Sequence, residues 1–550
     1  MENGARSSRG WARIFGGLSP SPIEWLCLVA GLALVHRYFW ILDDAFVYFR
    51  YVDNLLFLDA GLTYNRGEFV EGFSSPLWCL LLIALRGSGL DFWQISLGLA
   101  LVSFVLFWGL ALRVQRELTI PHGDTARPNL TLPFLTFNYG VACYFSSGVE
   151  SPAVLVAAAA LALYVLRPET QGLWLFVALT PLVRHELVLP LAIAVLWVTR
   201  VRGRIPFALI GVSLATGGTL ELFRVYYYAD LVPNTFHLKD LAWVEQGLSY
   251  LWNATWPYGL PIVLPVALVL LALLERGGAA TRWPTRLVML AMAGVVTAYV
   301  VRIGGDARHF RYLAFPFCLS VFAVSGVLEA SVGRWLRPLG PAGWSLAGAM
   351  VAGLSLALYP PQLLNHPLRG DNDRRLIHGI SDSMLHRQRT WPDYEAWGRR
   401  VSQEIRSGVG TSRPYRSATA SYWCADHYRD YDVRVVHALG LTDPILARVE
   451  MPSNRPGHKR GLIPLANDLL ALQEAAGGPQ PGIYRAAVNA RRAPAWIARN
   501  LEAIEAIEAK THNRHDLLEN IHLALTPPSR LSVEPGMPRR SSPRGPHQSR

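Results

Sequence analysis

Long apolar runs recur through the first two thirds of this 550-residue chain, with little polar sequence between them. A helix needs about 20 apolar residues to cross the hydrocarbon core of a bilayer. So many such runs in succession predict a polytopic bundle of transmembrane helices. The charge content agrees: 17% of residues are charged, against about 25% in soluble domains. Mean hydropathy is +0.23. Spans are predicted over 22–42, 75–86, 90–112, 131–146, 150–167, 171–200, 205–225, 257–275, 285–303, 308–330 and 342–360, about eleven in all.

Sidedness follows from the basic loops. Arg6, Arg9 and Arg13 precede the first run, which ends in His36, Arg37 and bulky aromatics rather than a small-residue cleavage site. We read an uncleaved first helix after a cytoplasmic segment 1–21. Loops 200–204, 275–286 and 334–337, all rich in arginine, then fall inside. Segments 41–74, 226–256, 303–308 and everything after 361 fall outside. Loop 113–127, with three arginines, lands outside against the rule. A re-entrant 131–146 and a break of 171–200 at Arg184, His185 and Glu186 bring 146–151 and that triplet to the outer face. A charged triplet in mid-bilayer is costly unless it lines a polar cavity.

The net charge of +12 would point to nucleic acid in a soluble protein. Here topology and anionic lipid account for it, and no nucleic-acid partner is implied. The five cysteines form no CxxC pair, so neither a zinc site nor a disulfide framework is indicated. The membrane domain is placed at 22–360. Beyond Pro360 and Pro361 the chain turns polar, and 361–525 is long enough for one small soluble α+β domain. From Thr526 to 550 the composition of Pro, Ser and Arg predicts a disordered tail.

Five constellations carry chemistry. Asp43 and Asp44 open the first outer loop, 42–74, inside ILDDAFVYFRYVDNLLFLDAGLTYNRGEFVEGFSSPLW at 41–78. Adjacent carboxylates repel, which raises a pKa and prepares one of them to accept a proton. The plainer reading is a helix cap. In FRVYYYADLVPNTFHLK at 223–239, Arg224, His237 and Lys239 alternate with tyrosines, which suits a phosphate and a sugar ring or, equally, a membrane-interface belt. In RIGGDARHFRY at 302–312, Asp306 sits among Arg302, Arg308, His309 and Arg311, leaving surplus positive charge for a phosphate. Arg184, His185 and Glu186 interrupt an apolar run and are a functional candidate or a buried ion pair. Glu150 in SSGVESP at 146–152 reads as a capping acid. In the soluble part, His437, Asp443 and His458 match no zinc spacing and read as turn and packing residues.

Taken together, these segments resemble bacterial polytopic glycosyltransferases of the C superfamily (GT-C), within it the mycobacterial terminal β-(1→2)-arabinofuranosyltransferase family. The resemblance rests on DDAFVYFRYVDNLL, GLTYNRGEFVEGFSSPLW, SGVES, RHE, YYYADLVPNTFHLK, GGDARHFRYL, GLTDPILAR and PGHK, in that order over roughly 41–460. Departures are His437 for an acid, Ala229 for a glycine and His185 for a proline.

The resemblance implies an inverting transferase in the plasma membrane, multi-pass, with its active site and C-terminal domain extracytoplasmic. Its donor would be a polyprenyl-phosphate-linked sugar, and its acceptor a cell-envelope polysaccharide or glycolipid. Asp44 or Asp43 would be the general base, with Asp44 preferred. Arg308, Arg311, Lys239, Arg184 and Arg302 would hold the donor phosphate. Glu68, Glu71, Asn234, His237, Asp306 and Tyr64 would contact sugar or acceptor. Some relatives use a divalent metal and others do not, and Asp44 with Asp306 is the pair that could hold one. The competing readings are a lipid-linked sugar flippase, which predicts internal repeats that are not evident, and a non-catalytic envelope-assembly protein.

Overall fold

The computed structural model describes residues 20–119, 130–239, 242–276, 281–327, 329–330, 340–357, 418–419, 435–437, 439–450, 462–477 and 480–533. Cys424, His458 and the His437 side chain lie outside them. The described chain is mainly helical. Its first half runs α1 (Pro22–Arg37), α2 (Asp43–Phe57), α3 (Pro76–Arg86), α4 (Phe92–Leu118), α5 (Thr131–Phe137), α6 (Tyr139–Phe145) and α7 (Ser151–Leu166). The bundle continues as α8 (Leu173–Ala178), α9 (Thr180–Val183), α10 (Val188–Arg202), α11 (Phe207–Tyr228) and α12 (Asn234–Leu238). It ends with α13 (Val244–Thr255), α14 (Leu260–Arg276), α15 (Trp283–Arg302), α16 (Ala314–Ala323) and α17 (Gly340–Ala357).

The local chemistry sets where these helices begin. Asp91 and Gln94 form a reciprocal capping box at the start of α4, with N–H···O distances of 2.8 and 3.2 Å. Prolines sit in the first turns of α3 and α7, where a missing N–H costs nothing. Helix α7 is apolar around its whole circumference and almost entirely buried. Such a helix belongs at the centre, and it packs against α4, α10 and α16.

Among the described residues, α4, α11 and α15 are long and apolar enough to cross a membrane, and α13 with α14 qualifies as a pair bent by 71°. Fewer than the eleven expected spans meet that test among the described residues, and the break expected at Arg184–Glu186 is present. Asn138 splits 131–146 by accepting from Val141 N at 3.1 Å and so starting α6 afresh. Arg184 takes an extended conformation (φ −156°, ψ 138°) and ends α9, which breaks 171–200 where the charged triplet stands. At the other end of the bundle the fully buried Arg286 donates to the carbonyls of Thr281 (2.6 Å), Leu118, Ala323 and Ser325 (2.7 Å each). It thereby satisfies the negative ends of α4 and α16 with one cation.

The C-terminal part forms its own core around Leu465, Leu469, Tyr484, Trp496, Ile504 and Leu531. Its helices are α18 (Pro444–Ala447), α19 (Ile463–Ala475), α20 (Ile483–Asn489), α21 (Ala495–Arg499), α22 (Leu501–Thr511) and α23 (Leu517–Leu525). Its described strands are two-residue parallel pairs: Ala418–Thr419 with Val436–His437, and Val449–Glu450 with Leu531–Ser532. One strand of the second pair, Leu531–Ser532, lies in the segment expected to be a structureless tail. Leu531 is fully buried and its amide donates to Arg448 O at 3.0 Å, so one apolar side chain and one ladder bond order the chain there.

This unit docks on the loop between α2 and α3. Phe69 N donates to Thr511 O at 2.8 Å, and Asn65 exchanges two hydrogen bonds with the Val435 backbone (2.9 and 3.1 Å). Asn234 of α12 donates to the carbonyls of Leu441 (2.9 Å) and Gly440 (3.0 Å).

Candidate active site

Asp43 and Asp44 fill the first turn of α2, and Leu42, rather than either aspartate, occupies the cap position. The expectation that one of them caps the helix is therefore corrected. Trp40 N donates to Ser146 O and Leu42 N to Ser147 O, each at 2.9 Å. This pairing fixes the chain entering α2 and leaves both carboxylates to side-chain partners.

Those partners come from the loop 265 and 267 residues further on: Arg308 Nη2 donates to Asp43 Oδ2 at 2.6 Å, and Arg311 Nη1 to Asp44 Oδ2. Two backbone features shape the loop. Gly305 has φ +74°, and a Cβ there would stand 2.3 Å from the Tyr250 ring. Phe310 has φ +68°, a conformation that costs of order 1–3 kcal/mol for a non-glycine residue. Its ring is wholly buried, packed edge-on against Phe317 (4.9 Å) and Tyr258 (5.5 Å), and this burial offsets the strain.

The rest of the cluster closes around Arg311 and Tyr312. Arg311 also approaches Asp306 (3.5 Å) and Glu150 (3.6 Å). Arg184 bridges Glu150 (3.1 Å) and Glu186 (2.5 Å). Lys239 donates to the Tyr312 hydroxyl. The Tyr312 ring is flanked by Arg184, Lys239 and Arg311 at 4.8, 4.9 and 5.6 Å from its centroid, contacts that favour the cations electrostatically. Burial opposes the charges of Arg308 and Arg311, but the facing carboxylates outweigh it and both stay ionised.

Two sequence expectations change here. Glu150 stands at the cap position of α7 but makes no capping hydrogen bond; its carboxylate is buried and turned to Arg184 and Arg311. The surplus of positive charge around Asp306 is absent, because Asp43, Asp44, Glu150 and Glu186 fold into the same cluster. His309 adds no charge. Burial holds its imidazole at about 3, and the neutral ring lies between Asn253 Oδ1 (2.7 Å) and the Tyr258 hydroxyl (3.0 Å).

The two aspartates differ in access. The Asp43 side chain is 3% exposed and the Asp44 side chain 25%. Asp44 is the more accessible of the two, and Asp43 is held under Arg308. Asp44 and Asp306 both face the same Arg311 nitrogen. A guanidinium thus occupies the place a shared divalent metal would need. Among the described residues no three His, Cys, Asp or Glu side chains converge as ligands. These residues do not fit a metal.

The remaining candidates are distributed differently. Arg302 is exposed at the end of α15, apart from the cluster. Glu71 and Arg224 form a buried bidentate pair (2.5 and 3.2 Å), which Glu221 and His185 extend. Burial raises the Glu71 carboxyl, and the Arg224 charge opposes that shift. Tyr64 is buried under the Arg50 guanidinium (5.1 Å). Glu68 accepts from Asn65 at 2.9 Å. Asn234 holds the 440–443 turn, and His237 pairs with Asp230 at 3.3 Å. Asp230 also binds Arg448 (2.7 Å), with Lys510 at 3.8 Å. Burial works against the Asp230 charge, but the His237 hydrogen bond and the Arg448 and Lys510 charges hold it at about 2. Glu68, Glu71, Asn234 and His237 thus line the contact with the C-terminal unit rather than the Asp43–Arg311 cluster.

Tyr312 and Tyr250 were given no role from sequence, and Glu150 only that of a cap. Tyr312 and Glu150 stand inside quoted motifs and Tyr250 outside them, and nothing in a linear pattern says which acid faces which arginine.

An apolar groove of about 510 Å³ opens between α3, α9 and α11, lined by Leu62, Phe73, Pro76, Cys79, Leu182 and Phe223 among others. Leu182 is two residues from Arg184 and Phe223 is next to Arg224. Phe73 packs 5.8 Å from Tyr48, one turn along α2 from Asp44.

The chain is similar to terminal β-(1→2)-arabinofuranosyltransferases. It is 31% identical to that of Mycobacterium tuberculosis over 388 residues, which cover 57% of this chain and 59% of the relative. It is 27% identical to that of Corynebacterium glutamicum over 357 residues, covering 54% of this chain and 50% of the relative. The chain thus spans little more than half the length of the curated relatives it matches. No family model matches it, and no solved structure does.

Proposed function

We propose that this protein is a multi-pass membrane glycosyltransferase of the GT-C type. It would transfer a sugar, arabinofuranose by similarity, from a polyprenyl-phosphate donor to a glycan or glycolipid of the cell envelope. The observation that carries the reading is the meeting of Asp43 and Asp44 with Arg308 and Arg311, one carboxylate locked and the other accessible.

Asp44 takes the proton from the acceptor hydroxyl. The oxygen attacks the anomeric carbon from the face opposite the phosphate, the bond from that carbon to the phosphate oxygen breaks, and the configuration inverts. Arg311, Arg308, Arg184 and Lys239 receive the charge that develops on the leaving phosphate. A phosphate entering the cluster exchanges for carboxylate contacts already present, so the cations are held ready without being solvated. The groove beside Leu182 and Phe223 suits the prenyl chain.

Glu71, Asn234 and Glu68 contribute to acceptor binding through the C-terminal unit they hold, on the extracytoplasmic side. That unit, the remaining spans of the eleven, and the plasma-membrane location belong to the same reading.

The test supplies the purified, reconstituted protein with labelled polyprenyl-phosphate arabinose and an envelope-glycan acceptor. Formation of a glycosidic bond supports the proposal. Movement of the labelled lipid across the bilayer without bond formation would replace it with a flippase.

A further inference from the structure

Helix α13 has two faces. Val244, Leu248 and Trp252, with Trp256 at the C-terminal cap, repeat every four residues and so share one side. They are 50–54% exposed, and the two tryptophans stack at 4.9 Å and 14°. Glu245 falls on that side in the first turn, where a carboxylate suits the positive end of the helix.

The opposite side, with Gln246, Gly247, Tyr250 and Ala254, is buried. There the helix lies so close to the end of α15 that a Cβ on Gly247 would stand 1.9 Å from Val301 O. The Tyr250 hydroxyl donates to Arg308 O at 3.0 Å and accepts from Tyr312 N at 3.1 Å. Asn253 holds His309 at 2.7 Å. This face carries the backbone of the 304–312 loop, and therefore Arg308 and Arg311.

What covers the outer stripe follows from the next element. Helix α14 leaves α13 at a bend of 71°. It exposes Ile262, Val263, Val266, Val269 and Leu273, apolar along its length, as a lipid-facing helix does. With α14 standing in the bilayer, a 71° bend lays α13 near the membrane plane. Tryptophans and a one-sided apolar stripe are what an in-plane helix presents at the headgroup–acyl boundary.

We infer that α13 is an interface helix whose Val244, Leu248, Trp252 and Trp256 stripe is bedded in the lipid headgroup–acyl boundary, and that this seat positions the Arg308 and Arg311 loop through Tyr250 and Asn253. The inference rests on the membrane reading of the chain but not on sugar transfer.

The test uses the full chain, with Cys424→Ser, in phosphatidylcholine–phosphatidylglycerol vesicles. The buried native cysteines Cys27, Cys79, Cys143 and Cys318 are left in place. Nitroxide labels are placed at Leu248→Cys, at Val266→Cys on α14, and at Ala498→Cys on the exposed surface of α21. Collision with oxygen is compared with collision with a water-soluble nickel chelate. The expected oxygen preference at 248 is several-fold above that at 498 and below that at 266. A label at 248 that behaves as the one at 498, or that is shielded from both reagents by a protein partner or a second copy, overturns the inference. In the second arm, hydrogen exchange over 304–312 should quicken several-fold in W252D/W256D and stay near wild type in W252F/W256F. Equal exchange in all three overturns the positioning role. Neither readout requires the protein to turn over, so a failed transferase assay leaves both decisive.

Discussion

Replacing Arg308 with methionine isolates what the Asp43–Arg308 pair contributes. Methionine keeps much of the side-chain length and removes the charge. The 2.6 Å hydrogen bond is lost, and the Asp43 carboxylate, with 3% of its side chain exposed, loses the charge that faces it. Breaking one side of a buried pair costs about 3–5 kcal/mol, chiefly through the uncompensated charge that remains. Removing the charge as well, in D43N/R308M, should recover the larger part of that loss. Arg302→Met, on an exposed residue at the end of the preceding helix, should change stability by less than about 0.5 kcal/mol. The assay is equilibrium unfolding of the detergent-solubilised protein, with the three variants and wild type compared under one condition. A loss below about 1 kcal/mol for R308M, or a double variant no more stable than R308M, would refute the reasoning that Arg308 is a main counter-charge of Asp43.

Three further outcomes follow from the same geometry. Asn234→Ala removes donors to Gly440, Leu441 and Asp443 carbonyls. It should weaken docking of the C-terminal unit by about 1–3 kcal/mol, read as faster hydrogen exchange over 439–447. Gly305→Ala must place a Cβ 2.3 Å from the Tyr250 ring at φ +74°, so it should lower both thermal stability and transfer rate, while Gly294→Ala, with open space around it, leaves both unchanged. Asp230 sits in the folded protein at about 2 against an ordinary 3.8. A depressed carboxyl stabilises above its unfolded pKa and loses that contribution as pH falls through the folded one, here about 2 kcal/mol between roughly pH 4 and 2. Limited proteolysis of the C-terminal unit should become faster across that window, and D230N should remove the dependence.

The helical character of the chain was legible because apolar periodicity and low charge leave few alternatives. The number of unbroken spans was not. Hydropathy averages over Asn138, whose side chain starts a new helix, whereas the break at Arg184 was legible as a charged triplet inside an apolar run. The motifs holding Asp43, Asp44, Arg308 and Arg311 stood out as charge in the wrong solvent, and these residues do lie within contact distance. Their ionic balance was hidden. Glu150 looks like a cap and His309 like a cation until burial and partners are known. Glu68, Asn234 and His237 carry the same polar signature as the clustered residues, but they stand at the contact between two folded units, a placement that only the tertiary fold can draw.

Asp44→Asn decides whether Asp44 accepts the proton of the acceptor hydroxyl. The measurement is steady-state transfer from labelled polyprenyl-phosphate arabinose by reconstituted D44N and wild-type protein, over a range of donor concentrations and pH. Loss of a general base lowers kcat by roughly 10²–10⁴. D44N should show that loss, with the donor KM little changed and the acidic limb of the pH profile gone. Normal kcat in D44N, or a variant that fails only in donor KM while keeping the wild-type pH profile, contradicts that role for Asp44.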